Sequence, residues 1–238
     1  MKISIIGAGE MGGALAAALT ERTSHSVTIR GARLGSRSVR EAITNSGGRL
    51  AEADADAIAS ADLVFVAVPW QAFESVTATL RQHPRPPKRL VSMVVPWTGD
   101  NALPAVGTDD SAAERLARAL PDSQVAGAFT TVGAATVRAI DKYVEKPTVF
   151  VVGDHAETKR LTRKVAEGIG FASLDAGPLY AARFTEAMGF LWTAAAYEGG
   201  AGELIAFRAV LPHPKSLSGG RARSGRSRHR SEHRGPRR

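Results

Sequence analysis

The chain has 238 residues, 44% of them apolar, and no cysteine. It is long enough to bury a real core, as one large domain or one domain plus a smaller one. Disulfides and thiolate chemistry are excluded, and no apolar run reaches the roughly 18 residues of a membrane span. The net charge of +8 sits at the C-terminal end, where nine Lys and Arg against a single acid follow Pro212. Residues 1–211 are therefore neutral overall, and the basic balance is no argument that they bind nucleic acid specifically.

Met1-Lys2 leads directly into a strand-like run without the regions of a secretory signal, so a cytoplasmic protein is expected. Lys2–Ile6 reads as a strand, Gly7–Gly13 as a glycine-rich turn and Ala14–Glu21 as helix. Ser26–Arg30 is a second strand, followed by a loop rich in Gly and Arg. Glu52–Ser60, rich in Ala and Asp, is expected to be helical. Leu63–Val68 is an unbroken apolar run that suits a strand buried on both faces, stopped by Pro69. A helix over Gln71–Arg81, a Pro-rich connection His83–Arg89 and a strand over Leu90–Val95 follow. Asp109–Leu120 opens with helix-start chemistry in Asp-Asp-Ser and Glu114. Strands are expected at Val125–Thr131 and Pro147–Val152, helices at Glu157–Gly168 and Ala181–Glu198.

Strands alternating with helices over the first 130 residues give a Rossmann-type parallel α/β sheet. Residues 1–125 are read as the nucleotide-binding domain, and 126–211 as a smaller C-terminal α/β-helical section that binds the acceptor and dimerises. Residues 212–238 are read as a disordered basic tail. The tail is built from Arg, Ser, Gly, His and Pro, with Leu217 its only bulky apolar residue. It cannot bury enough surface to offset the entropy of ordering. It is either a solvated extension, an arm for phosphates or acidic lipids, or the product of a frame change.

The run Gly7-Ala8-Gly9-Glu10-Met11-Gly12 fits G-x-G-x-x-G between a strand and a helix, which points to a dinucleotide. Gly7 permits the tight turn, Gly9 lets the backbone approach the pyrophosphate, and Gly12 lets helix and strand pack closely. The helix N-terminus then offers free N–H groups to the phosphates. Sites selective for NAD place an acid after the second strand, about 20 residues past the glycines. Here Gly31-Ala32-Arg33 follows the strand, and no acid occurs between Glu21 and Glu41. A guanidinium can hold the 2′-phosphate of NADP by two parallel bonds, and Arg33 is assigned that role ahead of Arg30.

Further motifs narrow the family. They are Val68-Pro69-Trp70 after the apolar strand, Ser111-Ala112-Ala113-Glu114 opening a helix, and Leu174-Asp175-Ala176-Gly177-Pro178-Leu179 followed by Ala182-Arg183, with Gly202-Glu203-Leu204 near the end. In order and spacing they resemble the NADPH-dependent reductases related to the coenzyme F420:NADP oxidoreductases, over about residues 1–211. The resemblance implies hydride transfer between NADP(H) and a deazaflavin held in a cleft between the Rossmann domain and the C-terminal section. Such a reaction needs two ring carbons held about 3–3.5 Å apart rather than a catalytic dyad.

The resemblance brings Val68, Pro69 and Trp70 near the cofactor. It places Thr130, Thr131, Val132 and Gly133 against the acceptor ring, the first three as positioning residues, and Arg183 near the acceptor or the subunit interface. Thr130 stands where a deazaflavin enzyme of this kind has a histidine, and Ala187 and Gly189 replace hydroxyl residues. Trp97, at the C-terminal end of a strand, is a second acceptor-side candidate. With no Cys and no paired His/Asp spacing, no metal site is expected. The acceptor could instead be a flavin, a metal ion, an imine or a carbonyl compound, and a nonenzymatic NADP-binding redox sensor is a third reading. The apolar C-terminal helix suggests a homodimer.

Overall fold

The computed structural model describes residues 1–99 and 104–212. In chain order the elements are β1 (Lys2–Ile6), α1 (Glu10–Arg22), β2 (Ser26–Arg30), α2 (Arg37–Asn45), β3 (Leu50–Glu52) and α3 (Ala55–Ala59). They continue with β4 (Leu63–Val66), α4 (Trp70–Gln82), β5 (Arg89–Ser92), α5 (Ala112–Ala119) and β6 (Gln124–Gly127). The last are α6 (Ala134–Arg138), β7 (Thr148–Gly153), α7 (Ala156–Gly168), β8 (Ala172–Gly177) and α8 (Ala182–Thr193). One eight-stranded sheet runs in the order β3-β2-β1-β4-β5-β6-β7-β8. All neighbours are parallel except β6 and β7, which meet antiparallel at Ala126–Gly153 and Gly127–Val152.

The Rossmann-type expectation is therefore met. β4 explains why the sheet holds: Leu63, Val64, Phe65 and Val66 are all fully buried. Alternate residues of a strand point to opposite faces. Leu63 and Phe65 join Ile3, Ile5, Leu15, Val165 and Phe171 under α1 and α7. Val64 and Val66 join Phe73, Leu80, Leu90 and Leu116 under α4 and α5. The residue-125 boundary drawn from sequence falls inside β6, and the sheet runs across it through β7 and β8.

Several elements differ from their sequence expectation. The first helix begins at Glu10, inside the glycine motif, and its Gly12 packs closely on the Gly7 carbonyl and on Ile5 of β1. β4 ends at Val66 and β6 at Gly127, both short of the apolar runs that suggested them. After β6 the chain is turned by Phe129, the one non-glycine residue with positive φ (+62°) among those described. Its ring packs edge-on against Phe65 and Phe171, which holds that backbone in place.

The expected long helix over Ala181–Glu198 is split into a 3-10 turn (Leu179–Ala181), α8 and a π-helical turn (Ala194–Glu198). α2, β3, α6 and β8 were not anticipated. α2 buries only Val39, β3 is three residues long, and β8 is an edge strand without apolar alternation. Apart from Pro212, the stretch read as a disordered tail lies outside the described residues. Among the described residues no helix is long and apolar enough to cross a membrane.

Candidate nucleotide and acceptor site

The chain leaves β1 for β2 on one side and returns to β4 on the other, which opens a crevice at the C-terminal ends of β1 and β4. A cleft of about 550 Å³ lies there. Gly7, Ala8 and Gly9 form its floor, Arg30, Gly31, Ala32 and Ser38 one end, and Val68, Pro69 and the inner face of α4 its wall.

The glycines divide the work as their positions require. Gly7 has φ +114°, and a Cβ on it would lie 2.0 Å from the Ala67 carbonyl oxygen. A Cβ on Gly12 would lie 1.9 Å from the Gly7 carbonyl oxygen. Both are glycines of close packing. A Cβ on Gly9 would meet nothing within 4 Å. Gly9 is the N-cap of α1 and makes no side-chain cap bond, so its bare backbone and the first N–H groups of the helix face open space. That is a cradle for an anion, and a pyrophosphate fits it.

Seven of the expected cofactor residues line the cleft: Gly7, Ala8, Gly9, Gly31, Ala32, Val68 and Pro69. Gly12 supports it from behind, and Met11 packs on the core. Glu10 points away, its carboxylate 2.6 Å from Arg138. Trp70 does not line it either. Its indole stacks on Phe73 at 5.1 Å and carries Arg115 at 5.4 Å above the ring. Arg33 is exposed at the tip of the turn beyond the cleft end, whereas Arg30 lines the cleft and donates to the Ala53 carbonyl at 3.0 Å.

The acceptor-side candidates gather along the same sheet edge, on the loops after β5 and β6 and on α8. Trp97 bridges to Pro104, and Gln71 donates to its carbonyl at 3.2 Å. Its indole N–H is buried, with no partner among the described residues. Thr130 donates to the Thr185 carbonyl at 3.0 Å, while Thr131 and Val132 are buried beside it. Gly133 lies under the Trp192 ring and Gly189 against the Thr130 carbonyl, so the loop and α8 are in close contact. Arg183 makes a two-pronged pair with Glu114 at 2.9 and 2.7 Å, so in this state its guanidinium holds α5.

Two residues at this edge escaped the sequence reading. Glu186 is 3% exposed, and its carboxylate accepts from the backbone N–H groups of Ala112 and Ala113 at 2.9 and 3.1 Å. Burial pushes this carboxyl up to about 8; the two N–H groups work against that, and the charges of Glu114 and Asp110 add to it. Nearby Asp110 is lowered: burial would raise it, but Arg118, Arg115 and the Ser111 N–H more than offset that. Glu52 at the end of β3 accepts from Gly35 N–H with both oxygens, at 2.9 and 3.1 Å. A lone acid inside the apolar face of a helix was the available signal for Glu186. Nothing local marked Glu52. Among the described residues no His, Cys, Asp and Glu cluster fit for a metal occurs.

Comparison with known proteins agrees with this geometry. Residues 2–96 match the family described as NADP oxidoreductase coenzyme F420-dependent. An F420-dependent NADP reductase of Methanothermobacter thermautotrophicus is 33% identical over 138 residues, which cover 55% of this chain and 59% of that protein. A candidate F420-dependent NADP reductase from Arthrobacter sp. FB24 shares the fold at TM-score 0.74 and 24% identity, over 89% of this chain and 100% of the other. A Sinorhizobium meliloti protein does so at TM-score 0.69 and 22% identity, over 89% and 96%. The resemblance drawn from the motifs is thereby borne out, and through residues 2–96 this chain is related to the F420-dependent NADP oxidoreductases.

Proposed function

We propose that the chain is an oxidoreductase that passes a hydride between NADP(H) and coenzyme F420. One observation carries the reading most. The cleft at the strand crossover has an unobstructed glycine over the α1 N-terminus, and its far end carries Arg30 and the Arg33 turn, with no acid directly after β2. The pyrophosphate is assigned to Gly7–Gly9 and the N-terminus of α1, and the 2′-phosphate to Arg33 with support from Arg30. A bound nicotinamide supplies the two-electron chemistry, a hydride to the acceptor ring, with one proton taken up from solvent.

The protein's part is placement. Val68 and Pro69 form an apolar wall that excludes water from the reacting ring. Thr130, Thr131, Val132, Gly133 and Trp97 present the acceptor face, and Arg183 stands behind it on Glu114. No acid–base group is assigned a step.

A second reading keeps NADPH and changes the acceptor to a flavin or a small imine or carbonyl compound. It draws on the Thr130 hydroxyl and Arg183 guanidinium both being engaged within the protein. We also infer a cytoplasmic homodimer. Tyr180 in the 3-10 turn before α8, and Phe184 and Leu191 on α8, are exposed by 55, 61 and 57% and offer apolar surface to a second copy.

Absorbance separates the readings. NADPH, enzyme and oxidised F420 should bleach the deazaflavin visible band, and FMN or pyrroline substrates should not replace it. NADPH oxidation with FMN or an imine and none with F420 would establish the second reading instead.

A further inference from the structure

The turn that carries Arg33 is not held by its own sequence alone. Gly35 has φ +63°, and its N–H is taken by Glu52, 17 residues away on β3. Its carbonyl is taken by Arg40 from α2. Ser36 N–H closes the turn onto the Arg33 carbonyl at 3.3 Å. A Cβ on Gly31 would stand 2.4 Å from the Ser36 hydroxyl, so the turn folds back tightly on the end of β2. The end of β3 is thus a backstop with two contacts: the Glu52 carboxylate holds the turn, and the Ala53 carbonyl holds Arg30.

We propose that Glu52 is a positioning residue for cofactor choice, fixing the 31–36 turn so that Arg33 meets a 2′-phosphate. The proposal rests on the reading of the cleft as an NADP(H) site. An acid near the ribose end of a Rossmann cleft would ordinarily accept from the ribose hydroxyls and repel a 2′-phosphate. Here both carboxylate oxygens face Gly35 N–H, so the acid is committed to the turn. The turn in turn leaves Arg33 without an ion-pair partner among the described residues. One contact keeps an acid off the ribose and a cation at the turn's tip.

The test is calorimetric titration of the full chain with 2′,5′-ADP and with 5′-AMP, two probes that differ by the phosphate in question. Glu52→Ala should weaken 2′,5′-ADP by about tenfold, the scale of a hydrogen bond to a charged group, and leave 5′-AMP nearly unchanged. Glu52→Gln keeps an oxygen for Gly35 N–H and should stay close to the parent chain for both probes. Equal loss of both probes in the alanine variant, no loss of either, or a glutamine variant as weak as the alanine one overturns the proposal. If the unaltered chain itself does not prefer 2′,5′-ADP, the NADP reading fails and takes the proposal with it.

Discussion

The three glycines of the motif have two different tolerances, because their Cβ atoms would meet different surroundings. A side chain on Gly7 or Gly12 runs into a carbonyl oxygen at 2.0 or 1.9 Å, whereas one on Gly9 enters the cleft. Gly9→Val should therefore leave the melting temperature nearly unchanged while weakening NADPH by about tenfold or more. Gly12→Val should lower the melting temperature by itself, overpacking being worth about 1–3 kcal/mol or more. Thermal melts and NADPH fluorescence titrations on the pair check both halves. Arg33→Ala should weaken NADP far more than NAD, and losing both equally would show that the residue packs rather than reads the phosphate.

At this scale the sequence showed the glycines, Val68, Pro69 and the arginines, because their chemistry is local. Glu52 was not legible, and Glu186 showed only as a lone acid in an apolar helix face, since their partners lie 17 and 74 residues away.

The junction of α5 and α8 is built from two acids and an arginine. Ser111 caps α5 by accepting from Glu114 N–H at 3.1 Å, Arg183 holds Glu114, and Glu186 closes on the next two N–H groups of the same helix end. The Glu186 carboxyl lies at about 8, above its ordinary 4.5, so the folded protein favours its neutral form. The stability this gives is complete below about pH 4.5 and is lost as the pH rises through about 8. The wild-type melting temperature should therefore fall between pH 6 and 8, with a slope on the order of 1 kcal/mol per pH unit. Glu186→Gln should be flatter over that window. Asp110, held low by Arg118 and Arg115, loses its contribution only in acid and does not interfere there. A wild type and variant with parallel pH profiles would refute the assignment.

The elements missed from sequence share a physical cause. α2 has Arg, Ser and Glu around one buried valine, and β8 reads Ala-Ser-Leu-Asp-Ala-Gly. Their place is set by the neighbouring strand or helix rather than by their own pattern. The strands that were found, β1, β2, β4, β5, β6 and β7, are those whose apolar residues the core requires.

For the molecule as a whole, the charge distribution and the sheet lead to one prediction. Residues 1–211 are neutral, and the eight strands are complete by Gly177. The chain then returns along the sheet, where Thr148 N–H donates to the Phe207 carbonyl at 2.9 Å. A chain ending at Pro212 should keep its fold and its NADPH affinity, and loss of NADPH binding would contradict the neutral-body argument. The Rossmann class was readable because alternating strands and helices with a leading glycine motif allow few other arrangements. That β7 and β8 join the same sheet was not readable, because the antiparallel β6–β7 contact is two residue pairs long.

Direct transfer across one cleft is the central claim, and isotope transfer tests it most closely. With NADPH deuterated at the transferred position of the nicotinamide and oxidised F420 as acceptor, the reduced deazaflavin should carry one deuterium per NADPH consumed. Reduced deazaflavin bearing only solvent hydrogen, or NADPH that binds and is never consumed, would contradict it.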